Sequence, residues 1–208
     1  MSFSSRPLSR RAVLAAGLAA PLLACFPAQA QSSDKHDALL RALKNGGLIV
    51  YFRHGATDRG GVDKIQLPRD QQRQLSDEGK AQARAVGETF RRHGIGVGEV
   101  LSSPYARCHD FAQIAFGRVR DDWLLLGLLS QSGDRQARIN HSLALLRKPI
   151  EAGQNRVLVA HTSNIADTTG VTLPEGGAVL VRPDAKAGRG FTVVGQLLPE
   201  DWRTLAGR

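Results

Sequence analysis

The chain has 208 residues, a formal charge of +9, 42% hydrophobic and 5% aromatic residues, and two cysteines. That length carries one domain with a sizeable core, and no Pro/Gly/Ser-rich linker, low-complexity tract or repeat divides it. Aromatics are few and no Lys/Arg run is dense, which excludes a nucleic-acid stripe, while the moderate positive balance suits a small anionic ligand.

Residues 1–30 read as an export signal. Ser9-Arg10-Arg11-Ala12-Val13-Leu14 resembles the twin-arginine pattern, an apolar stretch runs from Ala12 to Phe26, and Ala28-Gln29-Ala30 is an A-x-A cleavage site. At about 15 residues the stretch is too short for a bilayer, which takes about 20, so no membrane span is expected. The expected product is a periplasmic domain of residues 31–208, exported folded. Leu22-Leu23-Ala24-Cys25 loosely fits a lipobox, which makes a lipid anchor on Cys25 the alternative. Loss of Arg6, Arg10 and Arg11 with the signal takes the charge from +9 to +6. Cys108 is then the sole cysteine, so no internal disulfide forms.

The mature part alternates between helix and strand patterns. Asp34–Lys44 reads as a helix with Leu39, Leu40 and Leu43 inward, followed by the strand Leu48–Phe52. Ser76–Arg92 reads as a helix capped by Ser76, with Asp77 and Glu78 in its first turn and Gly79, Ala83, Val86 and Phe90 on one face. Arg91, Arg92 and His93 complement its negative end, and Gly94 supplies the left-handed residue after it. A strand at Glu99–Ser102 leads to Ser103-Pro104 as N-cap and first turn of a helix burying Phe111, Ile114 and Ala115. Arg135–Arg147 is a helix with Ile139, Leu143 and Leu146 on one face, then comes the strand Arg156–Ala160, closed by His161. A short helix ends at Gly170, and two final strands, Ala178–Val181 and Phe191–Leu197, flank a turn-rich segment. Apolar strands separated by helices predict an α/β fold, a three-layer αβα sandwich around a mostly parallel sheet.

The chemistry collects at strand ends. Arg53-His54-Gly55 follows the first strand, Arg107 lies in the first turn after the second, and His161 follows a third. In a parallel sheet these ends share one edge, where open α/β sheets bind ligands. The same tripeptide at Arg92-His93-Gly94 reads instead as a helix C-cap. Guanidinium forks match phosphate oxygens in charge and geometry, so Arg53 and Arg107 with His54 and His161 would cage an oxyanion. Gly55 would let the backbone approach the phosphate without a Cβ in the way. His36, His109 and His141 sit on predicted helices without a partner motif and read as surface, as do Asp110 and Asp167. Cys108 reads as a small buried filler, because Ile114, six residues on, is not the arginine that cysteine phosphatases require. Gly94-Ile95-Gly96-Val97-Gly98 precedes a strand and not a helix, so it fails as a dinucleotide loop. Ser132 lacks the first glycine of a nucleophile elbow.

Four ordered segments carry a family resemblance: Arg53-His54-Gly55; Leu75-Ser76-Asp77-Glu78-Gly79 with Gln82-Ala83; Ser102-Ser103-Pro104 with Arg107; and Val159-Ala160-His161. Over residues 48–181 the chain resembles the histidine phosphatase superfamily, the phosphoglycerate mutase-like fold. Ala160-His161-Thr162-Ser163-Asn164 with Pro174-Glu175-Gly176-Gly177 looks more like the acid phosphatase and phytase branch, in which an Asp after the second His protonates the leaving group. Here Thr162 stands in that place. The resemblance implies a phosphomonoesterase of the histidine acid phosphatase type, acting through a phosphohistidine on His54, with Arg53, Arg107, Gly55 and His161 around the phosphate. No metal ligand set is apparent and no cofactor is expected. Glu175 is the first choice of acid, lying in the loop by which related branches approach the phosphate; Asp58, four residues past His54, is the alternative, holding a substrate hydroxyl or acting as the acid. The expected substrate is a small-molecule or envelope-sugar phosphate, with loops 60–74 and 121–134 overhanging the pocket and carrying Lys64, Arg69, Arg73 and Trp123. A catalytically weak phosphate-binding pseudoenzyme is the alternative from another class, and a cytoplasmic mutase is disfavoured by export.

Overall fold

Leu48 to Phe52 are fully buried, as a run of apolar, mostly β-branched and aromatic residues must be if it is to occupy the middle of a sheet rather than its edge. The computed structural model describes residues 28–60, 62–130 and 133–208, with Met1 besides. The twin-arginine segment, the apolar stretch, Cys25 and Ser132 lie outside the described residues. In chain order the elements are α1 (Ala28–Asn45), β1 (Ile49–Arg53), α2 (Asp77–Arg92), β2 (Val97–Ser102), α3 (Ala106–Phe116), β3 (Arg120–Asp121), α4 (Arg135–Arg147), β4 (Asn155–Ala160), α5 (Thr162–Thr169), β5 (Ala178–Pro183), β6 (Phe191–Leu197) and α6 (Pro199–Ala206). The sheet order is β3-β2-β4-β1-β5-β6. Strands β1 to β4 pair in parallel, and β5 runs antiparallel to both β1 and β6.

Alternation along β1 divides the core in two. Val50 and Phe52 face a cluster with Leu39 and Leu43 of α1, Ala83, Val86 and Phe90 of α2, Phe111 and Ala115 of α3, and Trp202 of α6. Ile49 and Tyr51 face the other way, onto Leu145 and Leu146 of α4 and Ile165 of α5. The architecture is therefore the expected three-layer sandwich. Phe52 is the centre of the first cluster, with ring centroids 5.5 Å from Phe111 and 5.4 Å from Trp202. Asn155, fully buried, ties together the opposite edge of the sheet: its side chain accepts from the Leu48 amide and donates to the carbonyls of Leu43 and Gly96.

Several local expectations are corrected. Helix α1 begins at Ala28, upstream of Asp34 and of the expected cleavage point. Helix α3 begins at Ala106 with Tyr105 at its N-cap, not at Ser103-Pro104, because the Ser103 hydroxyl is committed to His161. Helix α4 buries Arg138, Ser142, Leu145 and Leu146, with Leu143 partly buried against the same cluster and Ile139 only half-buried: the Arg138 guanidinium donates to the carbonyls of Gly127 and Ser130 and so selects the buried face. His36 is buried and bonds Asp201 of α6 at 2.7 Å, so it is a tie between termini and not a surface residue. His109 and His141 also have partners, Asp121 and Asp122, each at 2.7 Å. Strand β3 and helix α6 had no counterpart in the sequence reading. Ser76 does cap α2, accepting from the Gly79 amide, and Gly94 and Gly170 do close α2 and α5 at positive φ.

Gly79 fixes how closely α2 approaches the end of β1. A Cβ there would stand 2.1 Å from the Ala56 carbonyl oxygen, which is backbone and cannot swing aside. Gly79→Ala is expected to lower stability by roughly 1–3 kcal/mol, whereas Gly98→Ala, whose Cβ meets its nearest atom at 3.5 Å, stays within about 0.5 kcal/mol. Urea unfolding midpoints of the two variants decide it; equal midpoints would remove the close approach as a constraint.

Candidate active site

The register of three parallel strands brings the key residues together. Arg53 is opposite Ala160 across β1 and β4, and Ser102 is opposite Val159 across β2 and β4. The next residues, His54, Ser103 and His161, therefore leave the sheet at one edge, where the His54 amide still donates to Ala160 and the Ser103 amide to Val159. The His54 and His161 rings lie 5.6 Å apart between centroids. Arg107 enters from the first turn of α3, only 5% of its side chain exposed. Together with Arg53, Asp63, Arg73, Tyr105 and Thr162 they line a cleft of about 220 Å³.

Hydrogen bonding decides the state of each imidazole. His54 Nδ1 is 2.9 Å from the Gly55 carbonyl, which can only accept, so Nδ1 carries the proton and Nε2 keeps its lone pair. Burial, then the nearby Arg107, pushes the pKa of His54 down to about 3. His161 is held well below the ordinary histidine range by burial first, and by Arg107 and His54 after it. Its Nδ1 faces the Arg107 guanidinium at 3.4 Å and must accept there, which leaves Nε2 to donate to the Ser103 hydroxyl at 2.9 Å. Both rings are thus neutral at ordinary pH, and one of them presents a nucleophilic nitrogen. Tyr105 packs against both partners of that arrangement, its ring 4.5 Å beneath the Arg107 guanidinium carbon and 5.4 Å from the His161 ring.

Not every expected residue lies in the cleft. Gly55 is buried against α2 and does not line it; a Cβ there would meet Gly79 and Phe111 at about 3 Å, so its smallness serves packing and its carbonyl serves the His54 tautomer. Glu175 accepts from Arg53 and from the Thr57 hydroxyl, each at 3.4 Å, and lies 4.0 Å from His54 Nδ1. It approaches the protonated side of that ring, away from Nε2. Asp58 lines a separate hollow with Gln74, Leu75 and Lys80, and Asp167 pairs with Arg135 on the surface. Of the overhanging loops, Arg73 reaches the cleft and donates to Thr57, Arg69 pairs outside it with Asp110, and Trp123 stays 62% exposed. Ser103, Tyr105 and Asp63 were missed as contributors. Ser103 lies inside a recognised motif and Tyr105 directly after it, but no local signal marks Asp63. Cys108 is fully buried, its thiol pushed up to about 12 by burial, and is inert as expected. Among the described residues no group of three His, Cys, Asp or Glu side chains could hold a metal ion.

A parallel-sheet edge with two neutral histidines and three arginines around one cleft suits a small oxyanion, since guanidinium forks match its oxygens in charge and geometry. The family model for the histidine phosphatase superfamily (branch 1) matches residues 49–126, which contain His54, Asp63 and Arg107. That match spans less than half of the chain: over residues 49–126 the chain is similar to the histidine phosphatase superfamily, and the likeness supports a phosphatase. Similar solved structures include the protein histidine phosphatase SixA complexed with tungstate (TM-score 0.56, 15% identity, 74% of this chain and 98% of that one). A phosphoserine phosphatase variant from Entamoeba histolytica in complex with phosphoserine is also similar (TM-score 0.53, 13% identity, 74% and 98%). So is a mycobacterial glucosyl-3-phosphoglycerate phosphatase (TM-score 0.52, 19% identity, 71% and 97%). At such identities the likeness establishes the fold. No curated protein matches the chain in sequence.

The neutral imidazoles make stability depend on pH in a definite sense. The unfolded chain protonates His54 and His161 near pH 6.5 and the folded chain does not until far lower, to about 3 for His54. The unfolded state therefore binds more protons between those limits, and stability falls as pH drops through this window, by up to about 1.4 kcal/mol per unit for each ring. Urea midpoints should fall from pH 7 to pH 5 in the natural chain and fall less in His161→Gln; identical losses would mean that His161 is not held neutral.

Proposed function

We propose that the protein is a periplasmic phosphomonoesterase that works through a phosphohistidine on His54. The observation that carries this reading is the lone pair on His54 Nε2, set by the Nδ1 bond to Gly55 and preserved by burial, inside a cleft lined by Arg53, Arg73 and Arg107. In the first step Nε2 attacks phosphorus, the P–N bond forms and the ester P–O bond breaks, the leaving oxygen taking a proton. In the second, water attacks phosphorus, the P–N bond breaks and inorganic phosphate leaves. The arginines contribute alignment and charge around the equatorial oxygens, which is most of what phosphoryl transfer asks of a protein. His161 forms the adjacent wall, and Glu175 steadies the Arg53 guanidinium beside Nδ1.

The substrate we favour is a phosphorylated envelope sugar, in keeping with an export signal at residues 1–30. The histidine acid phosphatase type is supported by the order of His161, Asn164 and Glu175, although Thr162 removes that branch's own acid. A second reading, a phosphate binder without turnover, is favoured by that same Thr162. Incubation with p-nitrophenyl phosphate followed by quenching should trap phosphate on His54 in an acid-labile, base-stable form. His54→Ala should abolish both the adduct and turnover, and Arg107→Ala should lower kcat/KM by about 10²–10³-fold. Phosphate binding without any adduct or turnover would leave the binder as the better account.

A further inference from the structure

Asp63 lies on the loop that joins β1 to α2, and among the described residues it is the carboxylate that lines the cleft. Its Oδ1 is 2.7 Å from Arg107 Nη1 and 3.4 Å from Arg73 Nε, and its Oδ2 is 3.2 Å from Arg73 Nη2. Its backbone is held in turn, since the Tyr105 hydroxyl donates to the Asp63 carbonyl at 3.3 Å and the neighbouring Val62 bridges to Gln72. The buried Gln72 then accepts from the Ala106 amide, at the start of the helix that carries Arg107. The Asp63 side chain is 52% exposed, whereas that of His54 is 4% exposed. One is therefore at the mouth of the cleft and the other at its floor.

In-line displacement requires the leaving oxygen opposite the attacking nitrogen, so with His54 at the floor it points to the mouth. On that basis, and resting on the hydrolase reading above, we propose that Asp63 is the proton donor to the leaving oxygen. The ligand-free contacts supply a loading step. Substrate phosphate takes the Arg107 fork from Asp63, and the freed carboxylate then faces a second anion, an arrangement in which one of the two holds a proton, drawn here from solvent. As the ester P–O bond breaks, that proton passes from Asp63 to the departing oxygen and leaves Asp63 ionised. The carboxylate then removes a proton from the water that attacks the phosphohistidine, which restores the acid. Glu175 cannot serve in this way from the Nδ1 side of His54, and Asp58 and Asp167 do not line the cleft.

The test compares Asp63→Asn with the natural chain on p-nitrophenyl phosphate, whose leaving group needs no acid, and on glycerol 2-phosphate, whose alkoxide does. General acid catalysis is typically worth about 10²–10⁴-fold, so kcat/KM, which reports the step that expels the leaving group and not the later hydrolysis, should fall by at least about 100-fold on glycerol 2-phosphate and by less than about threefold on p-nitrophenyl phosphate. Equal losses on both substrates would make Asp63 a positioning residue for Arg107, and gains on both would make it a competing counter-ion; either result overturns the proposal and leaves the hydrolase reading standing. Absence of turnover in the natural chain, with no adduct on His54, would instead refute the hydrolase reading and Asp63's role with it.

Discussion

The parallel pairing of β1 and β2 on either side of β4 is the constraint on which the site depends. Each strand ends within one residue of its neighbour's level, so three segments separated by about fifty residues each deliver their next side chain to the same edge. Nothing in the cleft is assembled by a single stretch of chain. The core behind it supports that register from both faces, with Phe52 wedged among Phe111 and Trp202 on one side and Tyr51 buried on the other. A slip of one residue would exchange those faces and turn His54 away from His161.

Charge in the cleft is balanced in a way that a list of conserved-looking motifs does not convey. Three arginines stand together around two imidazoles, and each arginine has a carboxylate: Glu175 beside Arg53, and Asp63 between Arg107 and Arg73. The uncharged imidazoles follow from this neighbourhood, because burial and the adjacent guanidinium groups both disfavour a further positive charge. The two carboxylates differ in kind. Glu175 lies behind the nucleophilic ring and braces it through Arg53, whereas Asp63 occupies the fork that a phosphate would use.

Support for the cleft comes from residues distant in sequence and mostly unremarkable within it. Arg138 of α4 holds the carbonyls of Gly127 and Ser130, Asn164 holds that of Leu126, and the Ser163 hydroxyl receives the Leu128 amide. These three side chains fasten the segment 126–130 over His161, where Gly127 comes so close that a Cβ would lie 3.3 Å from the imidazole ring. The wall beside the second histidine is thus made by tertiary contacts from two helices.

The sequence by itself determined the α/β class, the central strands, most helix boundaries and the identity of His54, Arg53, Arg107 and His161. Those features are local: apolar run length, the Ser76 cap, the glycine after a helix, and polar residues directly after buried strands. The tertiary structure alone decided the tautomer of each histidine, the partner of Glu175, the inward face of α4 and the packing role of Gly55. It also brought Asp63 into the cleft. The physical reason is that each of these depends on a group that pairing and packing bring near from a distant part of the chain. A carboxylate in a glycine-flanked loop has no periodicity or cap to mark it, and its meaning comes from the two guanidinium groups that the fold sets beside it.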